Sequence, residues 1–392
     1  MNNVPLGSIS KINPRKPQSL APDALCSFIP MEYVDDVSGT IIQTASRQVQ
    51  EVEKGYTYFE NGDVLFAKIT PCMENGKCAL AKELINGIGF GSTEFHVIRA
   101  GEEVSPEWVY YFLRQERIRQ KAAQQMTGSA GQQRVPARFL EEVMILLPPL
   151  EEQQRIAATL ERADHLRRLR RFAREMSDTY LQSVFLEMFG DSGENSAKWP
   201  LLQLGHFVTI NPRFSRTIKD PTRQVSFVPM AAINADRAEI AGIEMKTYAE
   251  VCKGFTAFEE NDVLFAKITP CMENGKIVIA KNLRDGFGFG STEFHILRSG
   301  ERNKPEWLLW LLRHPEFRKQ AQQAFTGTAG QQRVPASFLE DYEVSVPPLP
   351  LQQHFATIVQ RFERLRARQA EAARQAEHLF QALLNRAFTG EL

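Results

Sequence analysis

Cysteine is scarce in this sequence: there are five among 392 residues (Cys26, Cys72, Cys78, Cys252 and Cys271). An odd number with no CxxC pair indicates neither a disulfide framework nor a zinc site. No apolar run approaches the roughly 18 residues that a membrane span needs, and residues 1–10 lack the basic and apolar regions of a signal peptide. A cytoplasmic protein with no membrane partner is expected. Charge of one sign is missing as well, because 47 Lys and Arg balance 47 Asp and Glu. That removes the simplest argument for nucleic-acid binding but leaves room for local basic stretches, such as the arginines between Arg162 and Arg174.

Catalytic signatures are absent too. There is no GxxxxGK[ST] phosphate loop, and Gly87-Ile88-Gly89-Phe90-Gly91 lacks the spacing of a dinucleotide fingerprint and reads as a turn. The Asn-Pro pairs at Asn13 and Asn211 are followed by Arg, not by the Pro and aromatic residue found in amino-methylating DNA methyltransferases. His96 and His295 sit in alternating strand patterns with no nucleophile elbow nearby, which favours core or hydrogen-bonding histidines. The chain reads as non-catalytic, with no cofactor or metal of its own.

What the sequence has is itself, twice. Residues 63–77, DVLFAKITPCMENGK, recur without change at 262–276, an offset of 262 − 63 = 199, close to half of the 392 residues. The same offset carries GFGSTEFH at 89–96, AGQQRVP at 130–136, PPL at 148–150 and Gln153-Gln154 onto second copies. Each repeat is long enough to bury its own core, unlike the units of a solenoid.

Within a copy, short β-rich runs at 56–59, 64–68 and 94–99 are separated by turn signals at Asn61-Gly62 and Asn75-Gly76, predicting a small, bent sheet. Ser105-Pro106-Glu107 then offers an N-cap, a proline for the first turn and an acid, predicting a helix over about 106–125. A glycine-rich polar loop at 127–133, a short helical turn at 135–142 and an apolar run at 143–147 follow.

After Pro148-Pro149 the pattern becomes one long helix to Gly190, and its counterpart runs from Pro350 to about Phe388. Apolar residues at Leu351, Phe355, Ile358, Phe362, Leu365, Ala372, Ala376, Leu379 and Leu383, with Gln369 the one polar member, form a heptad seam. It is matched on the first helix by Ile156, Ala163, Leu166, Ala173, Tyr180 and Val184. A second apolar series on the first helix, Leu160, Leu169, Met176 and Leu181, is wider than a two-helix contact needs and suggests a partner surface.

The fold expected is α+β: two tandem-duplicated globular domains, each a small bent sheet with helices, separated by two long helices paired as an antiparallel coiled coil with pseudo-twofold symmetry. Its divisions are 1–149, a first helix 150–190, a linker 191–198, 199–349, and a second helix 350–392.

The motifs GDVLFAKITPCMENGK, STEFHV, GSAGQQRVP and LPPLEEQQRI, in that order and repeated, resemble the specificity subunit of type I restriction-modification systems along essentially the whole chain. The resemblance implies two target recognition domains, each reading half of a split site in double-stranded DNA, spaced by the helices. It also implies partners: two copies of a modification subunit that carries S-adenosylmethionine and methylates adenine, and an ATP- and Mg-dependent restriction subunit. A coiled-coil adaptor with duplicated protein-binding heads is the competing reading that zero net charge favours.

For DNA contacts the candidates are Lys68, Thr70, Asn75 and Lys77, with Lys267, Thr269, Asn274 and Lys276, donors in a strand and polar turn. A second set is Gln132, Gln133 and Arg134, with Gln331, Gln332 and Arg333, in a loop beside the junction of domain and helix, where a structural role in holding the two together competes with base reading. Differences between half-sites must come from where the copies diverge, at 16–27, 32–50 and 78–86 against 214–226, 231–249 and 277–285.

Overall fold

The computed structural model describes residues 2–18, 20–129, 131–177, 180–190, 199–328 and 331–392, without the side chains of 174–177. The expected linker at 191–198 and the side chain of Met176 lie outside these. The chain divides into two compact units, Met1–Phe172 with Ala370–Leu392, and Ala173–Gln369.

In the first unit, strands Ser10–Ile12, Phe95–Ala100, Val64–Ala67 and Cys78–Leu80 form an antiparallel sheet in that order. A second, mixed sheet orders Ala45–Gln48, Leu25–Ile29, Ile88–Gly91 and Thr57–Glu60, with its two middle strands parallel. The segment Asn2–Pro5 pairs with Met144–Leu147, the apolar run before the prolines. The second unit repeats this plan: Val208–Ile210, Phe294–Ser299, Val263–Ala266 and Ile277–Ile279 make one sheet, and Glu244–Thr247, Gln224–Val228, Phe287–Gly290 and Thr256–Glu259 the other.

Of residues 87–91, expected as a turn, Ile88–Gly91 form a strand instead. The aromatic ring of Phe59 lies where a Cβ on Gly89 would be, at 2.3 Å, so the glycines let ring and backbone close together. The hairpin turn before Asp63 is locked by that buried carboxylate. It accepts from Glu60 N at 2.7 Å and takes a two-pronged pair from Arg99 at 2.8 and 2.7 Å. Asp262 and Arg298 repeat the arrangement.

Ser105 caps the next helix as its sequence suggested, accepting from Trp108 N at 3.1 Å. The helix does not run through to 125, however: it breaks into Pro106–Leu113 and Glu116–Gln124, where Gln115 is extended (ψ 133°). The second unit breaks at the same place, between Pro305–Arg313 and Pro315–Gln323, and there Pro315 supplies the cause by excluding helical geometry at His314.

Two long helices complete the units, Leu150–Ser177 continued by Tyr180–Phe189, and the uninterrupted Leu349–Ala387. Both begin at the same point of the repeat, Leu150 and Leu349. In the first unit Phe388 packs on Trp108 (ring centroids 4.2 Å), while farther along, Arg167 meets Glu377 at 3.3 Å. In the second, Phe185 packs on Phe355 (5.5 Å) and Tyr180 on Phe362 (5.1 Å). In the second unit, rising numbers on one long helix meet falling numbers on the other, so the pairing there is antiparallel.

The seam departs from the heptad. Leu365 and Leu379 are about half exposed (49% and 48%), as are Leu166 and Tyr180, and Ala173 is exposed, whereas Phe380, Leu384 and Phe388 are buried. A helix of 3.6 residues per turn drifts by about 20° per heptad against a 3.5 repeat, and over several heptads that rotates the contact onto the neighbouring row.

Candidate nucleic-acid interface

The identical stretch is a closed loop between two strands. Thr70 Oγ1 donates to the Glu74 carboxylate, Met73 N to Ile69 O at 3.0 Å and Asn75 N to Pro71 O at 2.9 Å, with the Met73 side chain buried beneath. Lys77 closes it: its ammonium donates to Met31 O at 2.9 Å, and Lys276 does the same to Met230 O at 2.9 Å. These two lysines, candidate DNA ligands by sequence, each spend one N–H of the ammonium on a protein carbonyl that braces the loop. Lys68, Thr70 and Asn75, and likewise Lys267, Thr269 and Asn274, stay half-buried or exposed at the rim.

The glycine-rich loop lies against this one rather than at the junction with the long helix. Thr70 N donates to Gln133 O at 3.0 Å and Val135 N to Lys68 O at 2.8 Å, while Arg134 bridges to both Ile69 and Thr127. The Arg134 guanidinium grips Glu94 through Nε (2.9 Å) and Nη2 (2.8 Å), and Arg333 grips Glu293 in the same way (2.8 and 2.8 Å). Those hydrogen bonds hold the Glu94 and Glu293 carboxyls below the usual carboxylate range. Beneath, His96 Nε2 donates to Val135 O at 2.8 Å and its Nδ1 accepts from Asn13 Nδ2 at 3.0 Å. Burial lowers the His96 and His295 pKa values, so both rings are neutral structural members.

The two candidate sets, far apart in sequence, thus converge in one polar patch per unit. Asn75, Gln132 and Gln133 are exposed in the first, and Asn274 and Gln331 in the second, with Gln332 half-buried. The junction with the helix is held by other residues. Gln153, fully buried, accepts from Ser105 N at 2.9 Å and donates to Glu103 O (2.9 Å) and Pro148 O (2.8 Å); Gln352 repeats this at Lys304, Arg302 and Pro347.

The divergent segments 16–27 and 32–50, with 214–226 and 231–249, supply strands of the mixed sheet, while 78–86 and 277–285 begin in the last strand of the antiparallel one. The edge strand of the mixed sheet carries exposed Ser46, Arg47 and Gln48 in one copy, and in the other exposed Glu244 and Met245 beside Lys246, whose ammonium stands 3.9 Å from the Phe227 ring centroid. Beside the edge, Tyr56 (45% exposed) packs on Phe28, and Phe255 (39% exposed) packs on Phe227. An edge strand of polar and basic side chains next to an aromatic ring suits contact with bases and phosphates. Sequence reasoning located the divergence but not Arg47, Tyr56, Lys246 or Phe255. The exposure of these two rings depends on which way the strand faces, which five-residue patterns do not reveal.

On the first long helix the expected partner stripe is corrected. Leu160 and Leu181 are buried in their own units, Leu160 against the end of the second long helix and Leu181 in the core around Trp307. Leu169 is 51% exposed, and its exposed apolar neighbours are Leu166 and Phe172.

A family model described as the type I restriction modification DNA specificity domain matches residues 1–171 and 197–375. The chain is 41% identical over 152 residues to the specificity subunit of the type I restriction enzyme EcoEI of Escherichia coli, covering 38% of this chain and 25% of that protein. It is also 41% identical over 152 residues to the EcoAI specificity subunit of Escherichia coli, covering 26% of that protein. The matched region therefore spans about a quarter of these relatives' length. Two solved structures share the fold. One is a chain from work on complex assembly and conformational transition of the type I R-M system (TM-score 0.61, 22% identity, 100% of this chain and 98% of that one). The other is the type I restriction-modification S subunit of M. genitalium (TM-score 0.52, 14% identity, 99% and 96%).

Proposed function

The chain belongs to the type I restriction-modification DNA specificity family, and from that membership we propose that it is the sequence-reading subunit of such a complex, without catalysis of its own. Each unit reads one half of a gapped site in double-stranded DNA. Two copies of a modification subunit supply S-adenosylmethionine and transfer the methyl group to adenine, and a restriction subunit supplies ATP- and Mg-dependent cleavage. The observation that carries this reading is the family match over both copies of the repeat, so that one chain presents the reading module twice.

The division of labour within a unit follows from the geometry. Shared loops, the same in both copies apart from Ser129 against Thr328 and tied down by internal hydrogen bonds, provide a common footing on the DNA backbone through Lys68, Thr70, Asn75, Gln132 and Gln133, and through Lys267, Thr269, Asn274, Gln331 and Gln332. Arg134 and Arg333, committed to their glutamates, hold that footing in shape. The divergent edge strands then provide what differs between half-sites. The helix Leu349–Ala387, of 39 residues, is about 58 Å long at 1.5 Å per residue, against about 34 Å for one turn of B-DNA. The exposed Leu166, Leu169 and Phe172 give the modification subunit an apolar surface.

Co-expression with the modification subunit, followed by genome-wide mapping of methylated adenines, tests the proposal. A two-part motif with an unread gap and one adenine on each strand is expected. A continuous motif, or no salt-dependent DNA binding by the assembled complex, refutes it.

A further inference from the structure

We propose that the second unit holds a phosphate-type oxyanion in a pocket between Arg313 and Arg318. The pocket, about 420 Å³, lies where the second helix of the broken pair meets the loop at 274–275 and the segment Tyr180–Phe189; Phe185, Trp310, Asp236 and Asn274 line it with the two arginines. Both guanidinium groups are held by carbonyls: Arg313 donates to Ala235 O (2.5 Å), Gly275 O (3.3 Å) and Asp236 O (3.3 Å), and Arg318 to Glu273 O (3.1 Å). Each nevertheless keeps a buried Nε–H with no acceptor, and neither makes an ion pair among the described residues. Two half-buried cations close together, opposed by the field of Asp236 but in no ion pair among the described residues, are costly unless an anion joins them.

The first unit supplies the comparison. There Arg114, at the position of Arg313, donates to the Tyr110 hydroxyl at 2.9 Å and to Val37 O at 2.8 Å. The buried Asp164 carboxylate adds its field, so that the Arg114 pKa is raised in spite of burial. Both compensations are lost in the second unit. Leu309 replaces Tyr110, and Glu363, at the position of Asp164, pairs with Lys281 at 3.1 Å. Burial, together with the charges of Arg318 and Arg366, then lowers the Arg313 pKa to about 10 against the opposing field of Asp236. The exchange replaces protein acceptors with an opening beside two fixed donors, and a tetrahedral oxyanion fits that pairing. Trp310, whose ring lies 5.4 Å from the Arg313 guanidinium carbon, leaves room for a flat group attached to the phosphate.

Such a phosphate could come from the DNA backbone or from a free phosphorylated molecule, and the inference does not depend on DNA reading. The full chain, at ionic strength held constant with chloride, is titrated with inorganic phosphate by calorimetry and ³¹P NMR, and separately with duplex DNA by fluorescence anisotropy. Saturable one-site phosphate binding is expected, weakened at least tenfold by Arg318→Gln and by Asn274→Asp, which places a carboxylate at the exposed rim with little risk to folding. Lys319→Gln, which removes a neighbouring surface charge outside the pocket, leaves it unchanged. If free phosphate does not saturate but both pocket variants lower duplex affinity and the salt slope by about one contact, the occupant is a backbone phosphate. The site is overturned if folded variants alter neither measurement, or if Lys319→Gln weakens binding equally. DNA binding that persists unaltered in that case sinks this pocket alone.

Discussion

Replacing Gln153 by leucine would remove a buried side chain that hydrogen-bonds the start of the first long helix to its globular core. Gln153 makes three hydrogen bonds, all to backbone groups and all between 2.8 and 2.9 Å, and it is fully buried. Each such bond contributes about 1 kcal/mol net, and a buried amide left without an acceptor, here Ser105 N–H, costs up to about 3 kcal/mol. The loss is therefore about 3–6 kcal/mol, against which burying the leucine side chain returns about 2 kcal/mol. A net destabilisation of roughly 1–4 kcal/mol in a unit of this size lowers Tm by roughly 2–16 °C. Calorimetry of the full chain should show one transition moving while the other stays, and Gln352→Leu should move the opposite one. Hydrogen exchange supplies the local readout, with protection at the Ser105 amide lost in Gln153→Leu. A variant within about 1 kcal/mol of the parent, with Ser105 still protected, would refute the reasoning.

Acid should weaken both units. Burial lowers the native pKa of His96 and His295, so from about pH 6.5, the unfolded value, downward to the native value the unfolded chain binds more protons and unfolding free energy falls with pH. Urea midpoints equal at pH 7.5 and 5.5 would contradict this. Under the proposed function, Lys68→Ala and Lys267→Ala should each weaken binding to all duplexes alike and reduce the log-log salt slope by about 0.9; an unchanged slope removes these lysines from the backbone contacts. Leu169→Glu with Phe172→Glu, on the exposed helix face, should prevent co-purification of the modification subunit while leaving Tm within a few degrees. Intact assembly by gel filtration counts against that surface.

The duplication made the plan of the chain readable: repeated strands, the Ser105 cap, the run paired with Asn2–Pro5 and the helix starts all stand where the sequence places them. What escaped was set by partners distant in sequence. Lys77 looks like a free cation until Met31, 46 residues away, supplies the carbonyl that takes it. Gln153 and Gln352 stood out only as repeated letters, because their partners lie some 50 residues upstream. The helix break was written in one copy and silent in the other, since Pro315 marks it where Glu116 does not. Reading each copy with the other's prolines would have found it.

The first unit is not built from consecutive chain. Its core takes Phe380, Leu384 and Phe388 from the far end of the sequence, and these lie against Trp108, Tyr111, Phe112 and Leu160. During synthesis that surface emerges well before its cover, with roughly 200 residues made in between; at about 5–20 residues per second the wait is about 10–40 s. For that interval the nascent chain carries a bare aromatic face, which makes it a client for a holding chaperone and leaves it open to the matching helix of another nascent copy on the same message. Order of translation, and not only final stability, therefore bears on the yield of correctly closed molecules.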